Sequence, residues 1–322
     1  MKRLLVIDML NMYFRAYIVD PSLSSNGQPI GGIKGTLKII QKLVRETEPD
    51  EVVICWDGEG GSARRKLVNK QYKEGRKPIR LNRDIRNLTE REELENKVWQ
   101  QTRLLEILNE TPFVQLVCPG IEADDVISFV VQNKRYAGWQ KVIVSSDKDF
   151  FQLLDEETVL YRPIQKEVLN KNAVVEKYGV HPCNMALARA IVGDKSDNLE
   201  GVKGVGLPTV AKRLSFLAEE KTYTLADVAD FCEQVPSSLK AYRNIADSAA
   251  LIEENYKLMQ LYTPAISAQA SQKINYSLDS YPRHFNKSAI YAMMLEDGFG
   301  EGNWSDLFRR CNKISNDHRS KA

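Results

Sequence analysis

The sequence predicts an α/β fold, an open and mostly parallel sheet that gives way to helices after about residue 180. Three short apolar runs carry that prediction: Leu4-Leu5-Val6-Ile7, Val52-Val53-Ile54-Cys55-Trp56 and Val142-Ile143-Val144. Continuous, largely β-branched runs of this length suit central strands buried on both faces. Helical periodicity between them, as in Ile33 to Val44 and Trp99 to Leu108, supplies the crossovers.

The 322 residues suit one large domain or two linked ones, and a chain 43% hydrophobic and 27% charged has ordinary globular composition. Met1-Lys2-Arg3 leads into an apolar stretch that Asp8 interrupts, so no secretory leader is expected. No apolar run nears the roughly 20 residues that cross a bilayer, which points to a cytoplasmic protein without a membrane partner. The five cysteines (Cys55, Cys118, Cys183, Cys232, Cys311) are scattered and never form CxxC, so reduced thiols fit better than disulfides or a zinc site. Three histidines leave imidazole chemistry few candidates, and a net charge of +2 confines any nucleic-acid surface to a local patch.

Each apolar run delivers an aspartate at its carboxyl end: Asp8, Asp57, and Asp147 after Ser145-Ser146. That edge is where open α/β sheets bind ligands. From Gly58 to about Glu110 the chain turns basic, with Arg64, Arg65, Lys66, Lys70, Lys73, Arg76, Lys77, Arg80, Arg83 and Arg86, and loses apolar periodicity. An acidic, helix-favouring stretch from Thr89 to Asn96 follows. The segment reads as a mobile insertion above the sheet edge. A solvated charged helix is the usual fate of such a run, but its place after Asp57 favours phosphate capture, with Tyr72 stacking on an unpaired base.

Glu122-Ala123-Asp124-Asp125 opens an apolar helix through Val126, Ile127, Phe129 and Val130. A single acid in a first turn would serve the helix dipole; three in four residues repel one another and call for a divalent cation. Asp147 and Asp149, two apart, face one way if the backbone there is extended. Asp194 and Asp197 in Gly193-Asp194-Lys195-Ser196-Asp197-Asn198 share a face if that loop is turn-like, though Asx turns in a solvated loop are the commoner reading. Nine carboxylates without His or Cys suit Mg²⁺ or Mn²⁺, and their number makes two neighbouring ions reasonable. Two such ions would clamp both oxygens of a phosphoryl transfer and remove the need for a histidine base. A haloacid-dehalogenase-like phosphatase wants a second acid two residues after the first, where Asp8 is followed by Met9-Leu10.

Gly201-Val202-Lys203-Gly204-Val205-Gly206 precedes a helix start at Leu207-Pro208, with Lys212 and Arg213 further on. Glycines admit a phosphate close to the backbone, and the helix N-terminus offers free amides. A tight turn between packed helices is the plain alternative. The functional one is a helix–hairpin–helix that grips DNA backbone without reading sequence.

In order, Leu5-Val6-Ile7-Asp8, Trp56-Asp57, Tyr72-Lys73-x-x-Arg76, Gly120-Ile121-Glu122-Ala123-Asp124-Asp125, Ser146-Asp147-Lys148-Asp149-Phe150, Val175-Glu176-Lys177-Tyr178-Gly179-Val180, Gly193-Asp194-x-x-Asp197-Asn198 and the hairpin resemble the 5′ nuclease (flap endonuclease) family, nearly continuously to about residue 215. The resemblance implies a PIN-like 5′ nuclease core over 1–180 carrying a helical arch at about 64–110. A helical DNA-binding region over 181–322 would follow, with a helix–three-turn–helix at about 186–217 and a C-terminal extension. It implies two Mg²⁺ ions, replaceable by Mn²⁺: Asp8, Asp57, Glu122 and Asp124 around the first, Asp147, Asp149, Asp194 and Asp197 around the second, Asp125 near both. Lys73 and Arg76 would be catalytic, pinning the scissile phosphate. Tyr72, Arg64, Arg65, Gly201, Val202, Lys203, Gly204, Val205, Gly206, Lys212 and Arg213 would bind DNA, with a K⁺ ion on the hairpin carbonyls. The implied enzyme is a monomer of a bacterial or phage-infected cell that cuts DNA at 5′ flaps and 5′ ends, or an RNA–DNA primer, beside replication proteins. From Arg76 to Glu110 the chain is longer and more basic than the polymerase-linked pattern, and the final hundred residues, ending in a polar tail (Asn312 to Ala322) expected to fray, follow the family less closely. A PIN-type ribonuclease, which usually lacks the hairpin and the Asp194/Asp197 pair, and a non-catalytic DNA-structure-binding protein are the alternatives.

Overall fold

The structure, a computed structural model, describes residues 1–82, 84–85, 88–235 and 239–320. Arg83 and Arg86 of the basic run and the last two residues of the tail lie outside the described residues. Strands β1 (Arg3–Asp8), β2 (Glu51–Trp56), β3 (Val114–Val117), β4 (Gln140–Val144), β5 (Thr158–Arg162) and β6 (Glu167–Leu169) form one sheet in the order β3-β2-β1-β4-β5-β6. Every pairing is parallel except β5 with β6. The expected open, mostly parallel sheet is there, together with the short β3, β5 and β6 that the three apolar runs do not disclose. The direction of winding reverses between β1 and β4, where Ile7 lies beside Val144. That switch point leaves a crevice at the carboxyl ends of the two strands.

Between and after the strands run α1 (Met9–Val19), α2 (Gly31–Thr47), α3 (Ala63–Val68), α4 (Glu90–Asn109), α5 (Ala123–Val131), α6 (Lys171–Tyr178) and α7 (Pro182–Val192). They are followed by α8 (Leu207–Arg213), α9 (Leu225–Gln234), α10 (Lys240–Asp247), α11 (Ala249–Met259), α12 (Ala268–Ser280), α13 (Lys287–Glu296) and α14 (Ser305–Arg319). No described helix is long and apolar enough to cross a membrane.

Alternation along the strands splits the core into two layers. Leu5, Ile7, Val52, Ile54, Val142 and Val144 face one side and meet α1, α2, α4 and α14; Leu4, Val6, Val53, Cys55 and Ile143 face the other and meet α5, α7 and helices up to Leu278. The second layer runs without a break across residue 180.

Two expectations need correction here. The segment 58–110 is not wholly a projecting insertion: α4 begins at a capping box, Thr89 with Glu92, and buries Leu104, Ile107 and Leu108 against the sheet. The polar tail does not fray over its described length. α14 buries Leu307, Phe308, Cys311 and Ile314, an i, i+1, i+4, i+7 stripe, on α2. Leu307 is 1% exposed, so Leu307→Ala should cost about 2–5 kcal/mol in urea unfolding; an unchanged midpoint would mean that α14 does not belong to the core.

Candidate active site

β1 ends on Asp8, whose carboxylate does two local jobs: it accepts from the Asn11 amide at the start of α1 (3.3 Å) and from the Ser145 hydroxyl just past β4 (2.8 Å). Asp57 follows β2 and accepts from the Ala123 amide (2.8 Å), which pins the N-terminus of α5 beside it. Asp124 sits in the first turn of α5 and Asp147 three residues past β4, its carboxylate accepting from the Asp149 amide (2.8 Å). Together Asp8, Asp57, Asp124 and Asp147 line one cleft of about 410 Å³ with Lys73, Arg76 and the α1 side chains Leu10, Asn11 and Phe14.

Burial dominates the electrostatics of that cleft. It pushes the Asp8 carboxyl up to about 7; the Ser145 hydrogen bond works the other way, and the neighbouring charges of Asp57 and Asp147 add to the rise. Asp124 is driven well above the usual carboxylate range by burial and then by Asp147 and Asp8. Asp8 and Asp124 are thus desolvated beside two further acids, Asp57 and Asp147, that add to their repulsion. Among the described residues, no group of three or more acids already closes round one point as an ion cage. The oxygens line a cleft rather than a pocket cut to fit.

The remaining predicted acids are held by internal cations. Glu122 accepts from Lys73 Nζ and Ser62 Oγ on one oxygen (2.6 Å each), and from Arg65 (2.8 Å) and Tyr72 (3.3 Å) on the other. Burial opposes its charge, but Arg65 and Lys73 hold its carboxyl below the usual range. Asp125 is buried, receives Arg65 (2.8 Å) and the Ala265 amide (2.9 Å), and lies outside the lining of the cleft. Asp149 and Asp194 both accept from Arg189, at 2.5 Å each. Burial still raises Asp149 to about 7 against that arginine, whereas hydrogen bonds from Ser196 and the charge of Arg189 outweigh burial and lower Asp194. Arg189, 8% exposed on α7, is the residue that sequence reasoning missed. Its one signal is a lone charge in the apolar string Met185 to Val192 just before Gly193-Asp194.

The base of the basic segment is stapled to the Asp194–Asn198 loop. The Lys73 amide donates to the Asp197 carbonyl (2.8 Å), Asn198 Nδ2 to the Gln71 carbonyl (3.0 Å), and Arg76 to the Ser196 carbonyl (3.0 Å) and the Asp197 carboxylate. Lys73 and Asn198 both adopt left-handed backbone, φ 59° and 57°, a conformation that costs a non-glycine residue and persists where the surroundings impose it.

Three DNA-contact expectations do not match the side chains. Tyr72 is 3% exposed with its hydroxyl on Glu122, so it cannot stack on a base in this state. Arg65 is committed to Glu122, Asp125 and the Leu258 carbonyl (2.9 Å), and Arg64 to the Ala265 carbonyl (2.5 Å). Both arginines tie α3 to the 258–265 segment. In the hairpin, Val202 and Val205 point into the core, Gly204 takes φ 75°, and Lys203 and Lys212 are exposed with Arg213 half-buried. A Cβ on Gly201 would lie 1.8 Å from the Val192 carbonyl oxygen, so only glycine fits there.

The family described as "5′-3′ exonuclease, N-terminal resolvase-like domain" matches residues 3–179. The chain is 29% identical over 267 residues to a 5′-3′ exonuclease of Aquifex aeolicus, covering 82% of this chain and 83% of that protein. It is 27% identical over 301 residues to DNA polymerase I of Caldicellulosiruptor bescii; the match takes in 91% of this chain and 32% of the polymerase, so the chain spans about a third of it. Among solved structures, a bacteriophage T5 flap endonuclease in a pseudo-enzyme–product complex with DNA and metal ions superposes with a TM-score of 0.63 at 18% identity, over 92% of this chain and 98% of that one, a likeness of fold.

The raised carboxyl of Asp8 gives a signed prediction. Its unfolded value is about 3.9 and its folded value about 7. Its contribution is therefore fully present below about pH 4 and is lost as pH rises to about 7. In EDTA, Asp8→Asn should raise the melting temperature, and by more at pH 8 than at pH 5; an equal or smaller gain at pH 8 would contradict the crowding of charge described here.

Proposed function

The chain belongs to the 5′-3′ exonuclease family, and from there we propose that it is a metal-dependent, structure-specific 5′ nuclease hydrolysing DNA phosphodiesters at 5′ ends and flap junctions in replication or repair. The observation that carries this reading is the set of four aspartates lining one cleft, with burial and mutual repulsion raising Asp8 and Asp124, and with Lys73 and Arg76 on its wall. An all-oxygen donor set of this kind fits a hard divalent cation, Mg²⁺ or Mn²⁺. Such a cation would polarise the phosphate and acidify the attacking water.

Charge supports two ions. Nine predicted acids are matched by four neighbouring bases, Arg65, Lys73, Arg76 and Arg189, an excess of five negative charges before any protonation. Two divalent ions would nearly cancel it. Asp8, Asp57, Asp124 and Asp147 have the fewest competing cations and would hold the first, with Glu122 joining once Lys73 lets go. Asp149, Asp194 and Asp197 would serve the second, for which Arg189 and Arg76 must yield oxygens. Lys73 and Arg76 would bind the scissile phosphate and orient it for in-line attack. The apolar α1 face, Leu10 and Phe14, would exclude water on the other side.

The hairpin from Gly201 would hold duplex backbone through its amides and through Lys203, Lys212 and Arg213. A K⁺ ion there would be held by hairpin carbonyls, of which that of Lys203 also accepts from Asn244 (2.9 Å). Residues 1–180 would form the nuclease core, with the arch confined to about 64–89, and 181–322 the helical DNA-binding part. We place the monomer in the cytoplasm of a bacterial or phage-infected cell, acting also on RNA–DNA primers beside replication proteins.

A 5′-labelled flap duplex tests the reading. Cuts near the junction should appear with Mg²⁺ and vanish with EDTA. In Asp147→Asn they should slow by at least about 100-fold, since the loss of one interaction specific to the transition state costs about 2.7 kcal/mol or more. Tight binding without cutting in Mg²⁺ or Mn²⁺ would leave only a DNA-structure-binding protein. An RNA-ended flap in a parallel lane separates primer removal from DNA-only cutting.

A further inference from the structure

α10 is strongly two-faced. Tyr242, Ile245 and Ala246 pack inward, with Tyr242 edge-on to Phe231 of α9, while Lys240 and Arg243 stand in solvent three residues apart on one face. Two hydrogen bonds fix the helix against both parts of the hairpin element. Asn244 Nδ2 donates to the carbonyl of Lys203 at the hairpin (2.9 Å), and the Tyr242 hydroxyl donates to the carbonyl of Arg213 at the end of α8 (3.3 Å). Asn244 lies one turn from Lys240 and next to Arg243 in the chain, so its hydrogen bond to the Lys203 carbonyl anchors to the hairpin the helix that carries these two cations. Asp247, exposed one turn beyond Arg243, ends the positive run.

We infer that α10 is a second phosphate-contacting element, which extends the hairpin's grip along the backbone of duplex DNA through Lys240 and Arg243. The inference rests on the nuclease reading and deepens it. Duplex is favoured over other polyanions because the cations are mounted on two rigid elements joined by backbone-directed hydrogen bonds. Such a spaced pair of point charges suits a regular phosphate backbone. Among the described residues, neither Lys240 nor Arg243 forms an ion pair with an acid, so neither must release a carboxylate first, unlike Arg65.

The test is fluorescence anisotropy of a flap duplex in Ca²⁺ across a NaCl series. Lys240→Gln with Arg243→Gln should weaken binding several-fold and reduce the slope of log affinity against log salt by about 1.8, at about 0.9 for each phosphate left without its cation. Lys240→Arg with Arg243→Lys should keep the wild-type slope, and so should Lys313→Ala on α14. A wild-type slope in the double Gln variant, folded by circular dichroism, would overturn the role of α10. Failure of the nuclease reading shows separately, as wild-type protein that leaves the flap uncut in Mg²⁺.

Discussion

Too many carboxylates crowd too small a space at the carboxyl edge of the sheet, and much of the surrounding structure answers that constraint. Parallel strands all end on one side, so aspartates placed after β1, β2 and β4 are delivered to one crevice whatever the loops do. α5 adds Glu122, Asp124 and Asp125 from its first turn, where the helix dipole offsets part of their repulsion. Neither the dipole nor Ser145 keeps Asp8 in the ordinary range. The fold brings in cations from three different elements: Arg65 from α3, Lys73 from the loop after it, and Arg189 from α7.

Those cations also act as joints. Arg65 reaches Glu122, Asp125 and the Leu258 carbonyl, so α3, α5 and α11 meet on one guanidinium. Arg189 joins the turn at Asp149 to the loop at Asp194. Removing a partner from such a buried pair strands a charge, which costs more than the pair itself contributes. The electrostatics that a nuclease site needs and the packing that holds the two halves of the chain together therefore depend on the same side chains.

The acids were legible in the sequence because their position follows from strand ends and a helix start, features that apolar runs and a capping-like cluster disclose. Their partners were not. Arg189 sits within an apolar helix, where sequence cannot say which way a lone arginine turns. Tyr72 lies among exposed basic residues and so resembles a base-stacking aromatic, yet a long-range contact with Glu122 buries it. Arg64 and Arg65 look alike as a charged pair, but helical rotation sends Arg65 inward and leaves Arg64 at the surface. Composition misled in the tail: α14 is mostly polar, and only the spacing of Leu307, Phe308, Cys311 and Ile314 betrays its buried stripe.

The staple between residues 71–76 and the Asp194–Asn198 loop has a functional consequence that follows from competition for Lys73. Its ammonium is held by Glu122 at 2.6 Å, and its backbone is fixed in a left-handed conformation by the Asp197 carbonyl. The main chain is therefore set while the side chain keeps its rotamers. A phosphate entering the cleft would offer Lys73 a second anion, and transferring the Lys73 hydrogen bond to it would leave that Glu122 oxygen with Ser62 alone. Burial penalises a carboxylate that loses a partner, so Glu122, left with Arg65, Tyr72 and Ser62, would accept a further cation more readily than before. Under the proposed nuclease reading, substrate phosphate and divalent ion would favour each other's binding through this carboxylate, without any movement of the sheet that carries the site.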